Sequence, residues 1–266
     1  GLMALKPGER VSYARAIAVA TSPLEAFGFL ASLKTPHGRL VGQVKDPQGR
    51  GIATAVIEFQ RDEVSLRHYP DDEGQWNLQL PSGSYQMRIM DQGRSELVQT
   101  VDIEADQVMP VSLTMGQASQ IHFDVRDGAG RSLPCKAQFL GLEPTPSPNL
   151  GPENRAHGCK DQYHSESGLF SVALSPGSYR VVVTHGIEFS HVSQVITLKE
   201  GGSEHLSVTL KRLVDTTGWV STDFHNHSTP SGDNQTKTDD RIINLAAEQV
   251  EFAPTTEHNR LYDWTP

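Results

Sequence analysis

Apolar and polar positions alternate in short runs, and the runs come in two matching sets. In Gly38-Arg39-Leu40-Val41-Gly42-Gln43-Val44, residues Leu40, Gly42 and Val44 fall on one side and their neighbours on the other, the period-two pattern of a half-buried strand. The turn Asp46-Pro47-Gln48-Gly49 follows, then a strand over Ala53–Phe59. Gln75–Leu80, the turn Pro81–Ser84, the strand Tyr85–Ile89 and two closing strands near Leu97–Ile103 and Val108–Met115 complete the first set. The second set repeats the order. Ile121–Val125 leads to Asp127-Gly128-Ala129-Gly130 and then Cys135–Leu140; Gly168–Leu174 precedes Ser175–Tyr179 and Arg180–Thr184; Val192–Leu198 and His205–Leu210 finish it. Matched glycines Gly49 and Gly130 lie 81 residues apart, and Gly83 and Gly177 lie 94 apart. The added length falls in the Pro-rich stretch Glu143–Arg155, a surface loop by composition. Evenly spaced short strands with a turn between each pair predict two tandem small antiparallel β-sandwiches, over residues 36–116 and 117–213.

Ahead of the repeat, Val11–Ala20 reads as a strand, and Thr21 or Ser22 caps a short helix running through Pro23, Leu24, Phe27, Leu30 and Leu33. One strand and one helix cannot enclose a core, so residues 1–35 are expected to be the tail of an upstream domain. The opening Gly1-Leu2-Met3 suggests that the natural start lies outside this sequence.

After Leu210-Lys211-Arg212 the texture changes, and residues 214–266 read as a separate region. Gly218–His227 is a strand ending in His-x-His, Thr236–Ala247 a helix, and Glu251–Thr256 a second strand ending in Glu257-His258-Asn259. Thr238 or Asp239 is the expected N-cap, with Asp240 in the first turn and Ile242, Ile243, Leu245, Ala246 and Ala247 as the buried face. Residues two apart on a strand share a face, so His225 and His227 can address one cation, and Asp233 adds a carboxylate. A parallel pair joined by one helix brings His258 beside them at the carboxyl ends, where α/β sites assemble. The predicted class is therefore mainly β: two sandwiches followed by an incomplete α/β (βαβ) unit.

Composition narrows the partners. Sixteen prolines and twenty-three glycines suit strands and turns better than helices, and a net charge of −9 without any basic cluster argues against nucleic acid or an anionic membrane. No apolar run approaches the length of a membrane span. Cys135 and Cys159 lie in one module and either pair, favouring an oxidising compartment, or stay free. His157 and His164 flank Cys159 at a spacing that matches no structural zinc site. His122, His185, His191 and His205 read as surface or hydrogen-bonded residues, and Trp76, Tyr85, Phe170 and Tyr179 as core or corner aromatics.

Two resemblances follow from these residues. G-x-V-x-D-x-x-G at Gly42–Gly49 and P-x-G-x-Y at Pro81–Tyr85, repeated one residue shorter at Pro176–Tyr179, resemble carboxypeptidase-regulatory-like modules of transthyretin type across residues 38–212. That likeness speaks to fold and hardly to activity. D-x-H-x-H-x-x-x-x-x-D at Asp223–Asp233 with T-[DE]-H-N at Thr256–Asn259 is similar to the first two motifs of the PHP (polymerase and histidinol phosphatase) superfamily. The run G-W-x-x-x-D-x-H-x-H from Gly218, set after a sandwich, resembles its carbaryl-hydrolase-like branch, as does the 33-residue separation of His225 and His258. The resemblance implies that His225, His227, Asp233 and His258 are ligands in a cluster of Zn, Mn or Fe ions. Asp223, Glu257 and Asn259 would support them, Glu257 standing where the family often has Asp. It further implies metal-activated water attacking a small-molecule ester or phosphoester, and an extracytoplasmic location. The remaining family ligands sit on later barrel strands, so this stretch alone is expected to be inactive and to hold metal weakly or not at all. Uncovered strand edges and an apolar helix face predict that Ile242, Ile243, Leu245 and Phe252 pack on the second sandwich, or on another copy through residues 238–256. The competing expectation is a β-sandwich binding or adhesion module without catalysis.

Overall fold

The computed structural model of the chain describes residues 4–264. It divides into two compact units, one comprising the chain up to Met90 with Glu96–Met115, the other Asp91–Ser95 with the chain from Gly116 onward.

The first unit holds β1 (His37–Lys45), β2 (Val56–Arg61), β3 (Val64–His68), β4 (Gln75–Pro81), β5 (Gly83–Met90), β6 (Leu97–Ile103) and β7 (Val108–Thr114). One sheet runs β4-β1-β7 and the other β3-β2-β5-β6. All neighbours are antiparallel except β1 and β7, which run parallel from Arg39 opposite Val108 to Lys45 opposite Thr114. Alternation along β1 buries Leu40 and Val44, and the facing sheet contributes Ile57, Phe59, Met87 and Ile89 to the same core. Trp76 meets Phe59 edge-on at 6.1 Å, the geometry that aromatic quadrupoles favour.

A helix, α1 (Pro23–Ser32), belongs to this unit. The Ser22 hydroxyl accepts the Glu25 N–H at 3.1 Å, as the sequence anticipated for the cap, and Leu24 enters the sandwich core. Close packing against β4 explains the glycine in mid-helix: a Cβ on Gly28 would lie 1.7 Å from the Gln79 carbonyl oxygen. The strand expected over Val11–Ala20 does not form. That run is irregular, with Ile17 and Val19 almost fully exposed. Apolar alternation makes a strand only where a neighbour takes up the backbone hydrogen bonds.

The second unit repeats the architecture strand for strand: β8 (Gln120–Asp127), β9 (Cys135–Gly141), β10 (Gln162–Ser165), β11 (Leu169–Ala173), β12 (Gly177–Thr184), β13 (Val192–Leu198) and β14 (Ser203–Leu210). Its sheets run β11-β8-β14 and β10-β9-β12-β13, again with first and last strands parallel, Gln120–Asp127 alongside Ser203–Leu210. Two local devices recur with it. In the β1–β2 turn, Asp46 Oδ1 accepts the N–H groups of Gln48 and Arg50, both at 2.9 Å, while Arg50 Nε reaches Oδ2 at 2.7 Å. Asp127 does the same with Ala129 and Arg131. Gly49 and Gly130 close these turns at φ of 82° and 81°, a left-handed conformation costly for any other residue. The second device is a tyrosine corner: the Tyr85 hydroxyl donates to the Pro81 carbonyl at 3.0 Å, and the Tyr179 hydroxyl to the Ser175 carbonyl at 2.9 Å. The second copy therefore keeps its register, with Ser175 standing where the first has Pro81.

Edge strands β3 and β10 escaped the sequence pattern. Both are short, and β10 (Gln-Tyr-His-Ser) has no apolar alternation; pairing with β9 rather than composition makes it a strand. Phe123, Phe170, Tyr163 and His157 stack as successive rings with centroids 4.5, 5.0 and 5.2 Å apart. Cys135 and Cys159 are both free thiols.

The region from residue 214 departs further from expectation. Neither of its strands forms as a regular element, and no barrel is present among the described residues. A single parallel bridge, Thr222 to Phe252, replaces them. The connecting helix α2 (Thr238–Ala247) is present, with Asp239 and Asp240 in its first turn. Its N-cap position is Lys237, without a side-chain cap; the Thr238 hydroxyl is engaged instead with the Ser228 hydroxyl at 3.2 Å. Of the expected apolar face only Ala247 is fully buried, and Ile242 and Phe252 remain exposed. The helix lies against β10 and β9, and polar contacts tie it and the residues just after it to the second sandwich. Asp240 accepts the Ala156 N–H at 2.8 Å, Glu248 pairs with Lys136, and Gln249 bonds to His185.

Candidate metal site

Two chain segments meet at the bridge. Phe252 and Glu251 donate their N–H groups to the Ser221 carbonyl at 3.0 Å, and Asp223 N–H donates to the Phe252 carbonyl at 3.1 Å. Beyond it, Asn226 N–H donates to the Thr256 hydroxyl oxygen at 2.7 Å, while that hydroxyl donates to the Asn226 carbonyl at 2.6 Å. These bonds carry the two segments side by side to their carboxyl ends. Asp223 Oδ1 accepts the His225 N–H at 3.0 Å, a turn-like contact that bends the chain just before the histidines. Arg241 of α2 clasps the His227 carbonyl at 3.1 Å.

His227, Asp233 and His258 converge, with their candidate donor atoms all within 4.8 Å of one another. His258 Nε2 lies 3.0 Å from Asp233 Oδ2, and His227 Nδ1 lies 3.7 Å from Asp233 Oδ1. His227 is half-buried; Asp233 and His258 are exposed. The ring of His225 stands 4.8 Å from that of His227, close by but outside the converging group. Asp233 reaches the cluster because a 3-10 turn over Thr229–Ser231, ended by Gly232, folds the chain back after His227. Two imidazoles and a carboxylate are a donor set suited to borderline transition-metal cations, and the open side leaves room for further ligands. The residues present thus fit the ion that the motif implies.

Beneath the cluster, Glu257 is buried. Its carboxylate accepts the Ser228 N–H at 3.0 and 3.1 Å, the Ser228 hydroxyl, and the Trp264 indole N–H at 3.0 Å. Burial pushes the carboxyl up, but bonds from Ser228, Ser231 and Trp264 outweigh it and bring the group down to about 2. Asn259 is exposed, in the left-handed region at φ 55°. Sequence reasoning passed over Ser228 and Ser231. Serine is common in turns, and nothing in the run Ser228-Thr229-Pro230-Ser231 marks these hydroxyls as inward-facing.

The architecture as a whole defines tandem seven-stranded sandwich modules followed by this corner. Residues 39–116 match the family model of the carboxypeptidase regulatory-like domain. No curated protein matches the chain. Among solved structures, the chain is similar to the Bacillus anthracis TIE protein (16% identity, TM-score 0.31, covering 66% of this chain and 34% of that one). It is also similar to a streptococcal ancillary pilin (15%, 0.37, 67% and 63%) and to GBS52, the minor pilin of Streptococcus agalactiae (11%, 0.34, 72% and 100%). The chain spans about a third of the first of these and less than two thirds of the second. At such TM-scores the likenesses carry no argument about function. No helix among the described residues is long and apolar enough to cross a membrane.

Proposed function

We propose that the region from residue 214 opens a PHP-type metal-dependent hydrolase of the carbaryl-hydrolase-like kind, and that the two sandwiches are its non-catalytic accessory modules. One observation carries the reading: His227 and Asp233 of the first motif converge with His258 of the second, where two parallel segments end. These three residues would hold a divalent Zn, Mn or Fe ion, with His225 at the rim and Asp223 and Glu257 bracing the loops. Bound there, the ion would supply Lewis-acid activation of water toward a carboxylic, carbamate or phosphate ester. The chain's own part is to present the donors and to fix their orientation. Three or four donors by themselves make a weak site. An extracytoplasmic location is part of the proposal; with both thiols free it rests on family habit alone.

A second reading, a binding or adhesion module without catalysis, has more direct support from the comparisons, because the matched family covers residues 39–116 and not the metal corner. Isothermal titration with Zn²⁺ and Mn²⁺, followed by elemental analysis, separates the two. The first reading expects one weakly held but saturable ion that His227→Ala and His258→Ala abolish and His225→Ala merely weakens. Binding no greater than in those variants would leave the sandwich-module reading in possession.

A further inference from the structure

We propose that α2 is a proton-released latch: it closes over a polar layer on the outer face of the second sandwich, and protonation of His164 and His185 in that layer opens it. The inference stands whether or not the neighbouring corner holds an ion.

Along β9, Cys135, Ala137 and Phe139 face the core, so Lys136 faces outward. His164 of β10 and Thr184 of β12 stand opposite Lys136 on either side, which puts all three on that outer face. The helix and the two residues after it lie against this row. Glu248 pairs with Lys136, and Gln249 bonds to His185 Nε2. Asp240 accepts the Ala156 N–H at 2.8 Å, while the Ala156 carbonyl accepts the His164 N–H at 2.9 Å. His164 is 8% exposed and His185 2%. Apolar burial adds little, since Ala247 is the one fully buried residue of α2. His164 Nδ1, Thr184 Oγ1 and Asn244 Oδ1 are buried without a hydrogen-bond partner among the described residues. A polar, incompletely satisfied seam of this kind opens more easily than the core beneath it.

The surroundings of the two rings set the direction. His164 faces Lys136 on β9, His157 in the insertion and Glu248 just after α2. Burial first, and Lys136 second, hold its ring below the ordinary 6.5; Glu248, itself paired with Lys136, offsets them only in part. His185 also faces Glu248, and meets Phe189 edge-on at 4.6 Å. Arg212, ion-paired with Glu188 at 3.2 Å, lies over that phenyl ring. Burial lowers His185 as well. The closed helix therefore refuses protons that the open one accepts. As pH falls below the ordinary value, each histidine multiplies the open population by up to about tenfold per pH unit. Opening would draw Arg241 from the His227 carbonyl and Thr238 from the Ser228 hydroxyl, so acid would slacken the corner together with the helix.

The test is hydrogen exchange at pH 7.5 and pH 5.0, read as protection factors for the 241–248 amides and, as the internal reference, for β8 and β12. Wild type is compared with His164→Gln, His185→Gln and the double variant. In wild type, α2 protection should fall by about tenfold or more at pH 5.0, with β8 and β12 much less affected. The double variant should show equal α2 protection at both pH values. Unchanged α2 protection in wild type at pH 5.0 overturns the proposal. So does a loss shared equally by β8 and β12, which would mean unfolding of the whole unit, and so does an undiminished loss in the double variant. If the double variant does not fold, the single variants decide: each should show a smaller loss than wild type, and a full loss in both overturns the latch.

Discussion

Replacing Gly28 by alanine sets two physical arguments against each other. Intrinsic helix propensity favours alanine over glycine in a helix interior by about 0.8–1.0 kcal/mol. The packing of α1 says the opposite. A Cβ at position 28 would lie 1.7 Å from the Gln79 carbonyl oxygen and 3.0 Å from its carbon. That oxygen belongs to β4 backbone and cannot swing aside, so the helix must back away by more than an ångström. Leu24, on the same helix and 1% exposed, would lose part of its seat in the core; full burial of such a side chain is worth about 1.5–3 kcal/mol. Overpacking of this kind costs about 1–3 kcal/mol, which exceeds the propensity gain. Set against the propensity gain, the expected net loss is up to about 2 kcal/mol. For a domain of this size that lowers the melting midpoint by roughly 4–8 °C per kcal/mol. Because the chain has two compact units, a global melt is not one transition. Hydrogen exchange at the Glu25–Ser32 amides supplies the local readout, with protection expected to fall in Gly28→Ala. An unchanged or raised midpoint with protection retained would show that α1 does not sit on β4 as described.

Three further outcomes are expected. Tyr85→Phe and Tyr179→Phe each remove one hydroxyl-to-carbonyl bond and should cost about 0.5–1.5 kcal/mol in urea unfolding; Tyr85 should be at least as costly, because its hydroxyl also receives Arg61 at 3.4 Å. A thiol reagent should find two free thiols in denaturant but modify only Cys159 readily in the folded chain, since Cys135 is fully buried and burial pushes its thiol up to about 12. Detection of no thiols would mean a disulfide and refute the description. Burial depresses His68, His164 and His185 below their ordinary value of 6.5. The unfolded chain then binds more protons than the folded one, so the stability they contribute is complete above that value and is lost as pH falls below it. Melting midpoints should be lower at pH 5 than at pH 7.5, and equal midpoints would contradict the burial of these rings.

The sandwiches were legible because their signals are local. Alternation in β1 and β8, the Asp-x-x-Gly-Arg turns and the Pro/Ser-x-Gly-x-Tyr corners each encode their own geometry. Where tertiary contact decides, the sequence misled. Val11–Ala20 has strand-like composition but no partner, β10 has a partner but no strand-like composition, and α1 looked detached although Gly28 and Leu24 fit it to β4. The metal corner divides the same way. Its histidines and Asp233 stand out by spacing, and the structure brings three of the four together. The strands expected to hold them shrink to one bridge, and the hydroxyls that connect the loops carry no signature in the chain.

The parallel pairing of first and last strands has a mechanical consequence. In each sandwich the segment entering β1 or β8 and the segment leaving β7 or β14 lie at opposite ends of one ladder, seven paired positions long in the first and eight in the second. Tension between those points slides the terminal strands past each other and loads every rung together, whereas an antiparallel pair would be peeled open one rung at a time. Each sandwich is thus built to transmit a pull along its length before it yields.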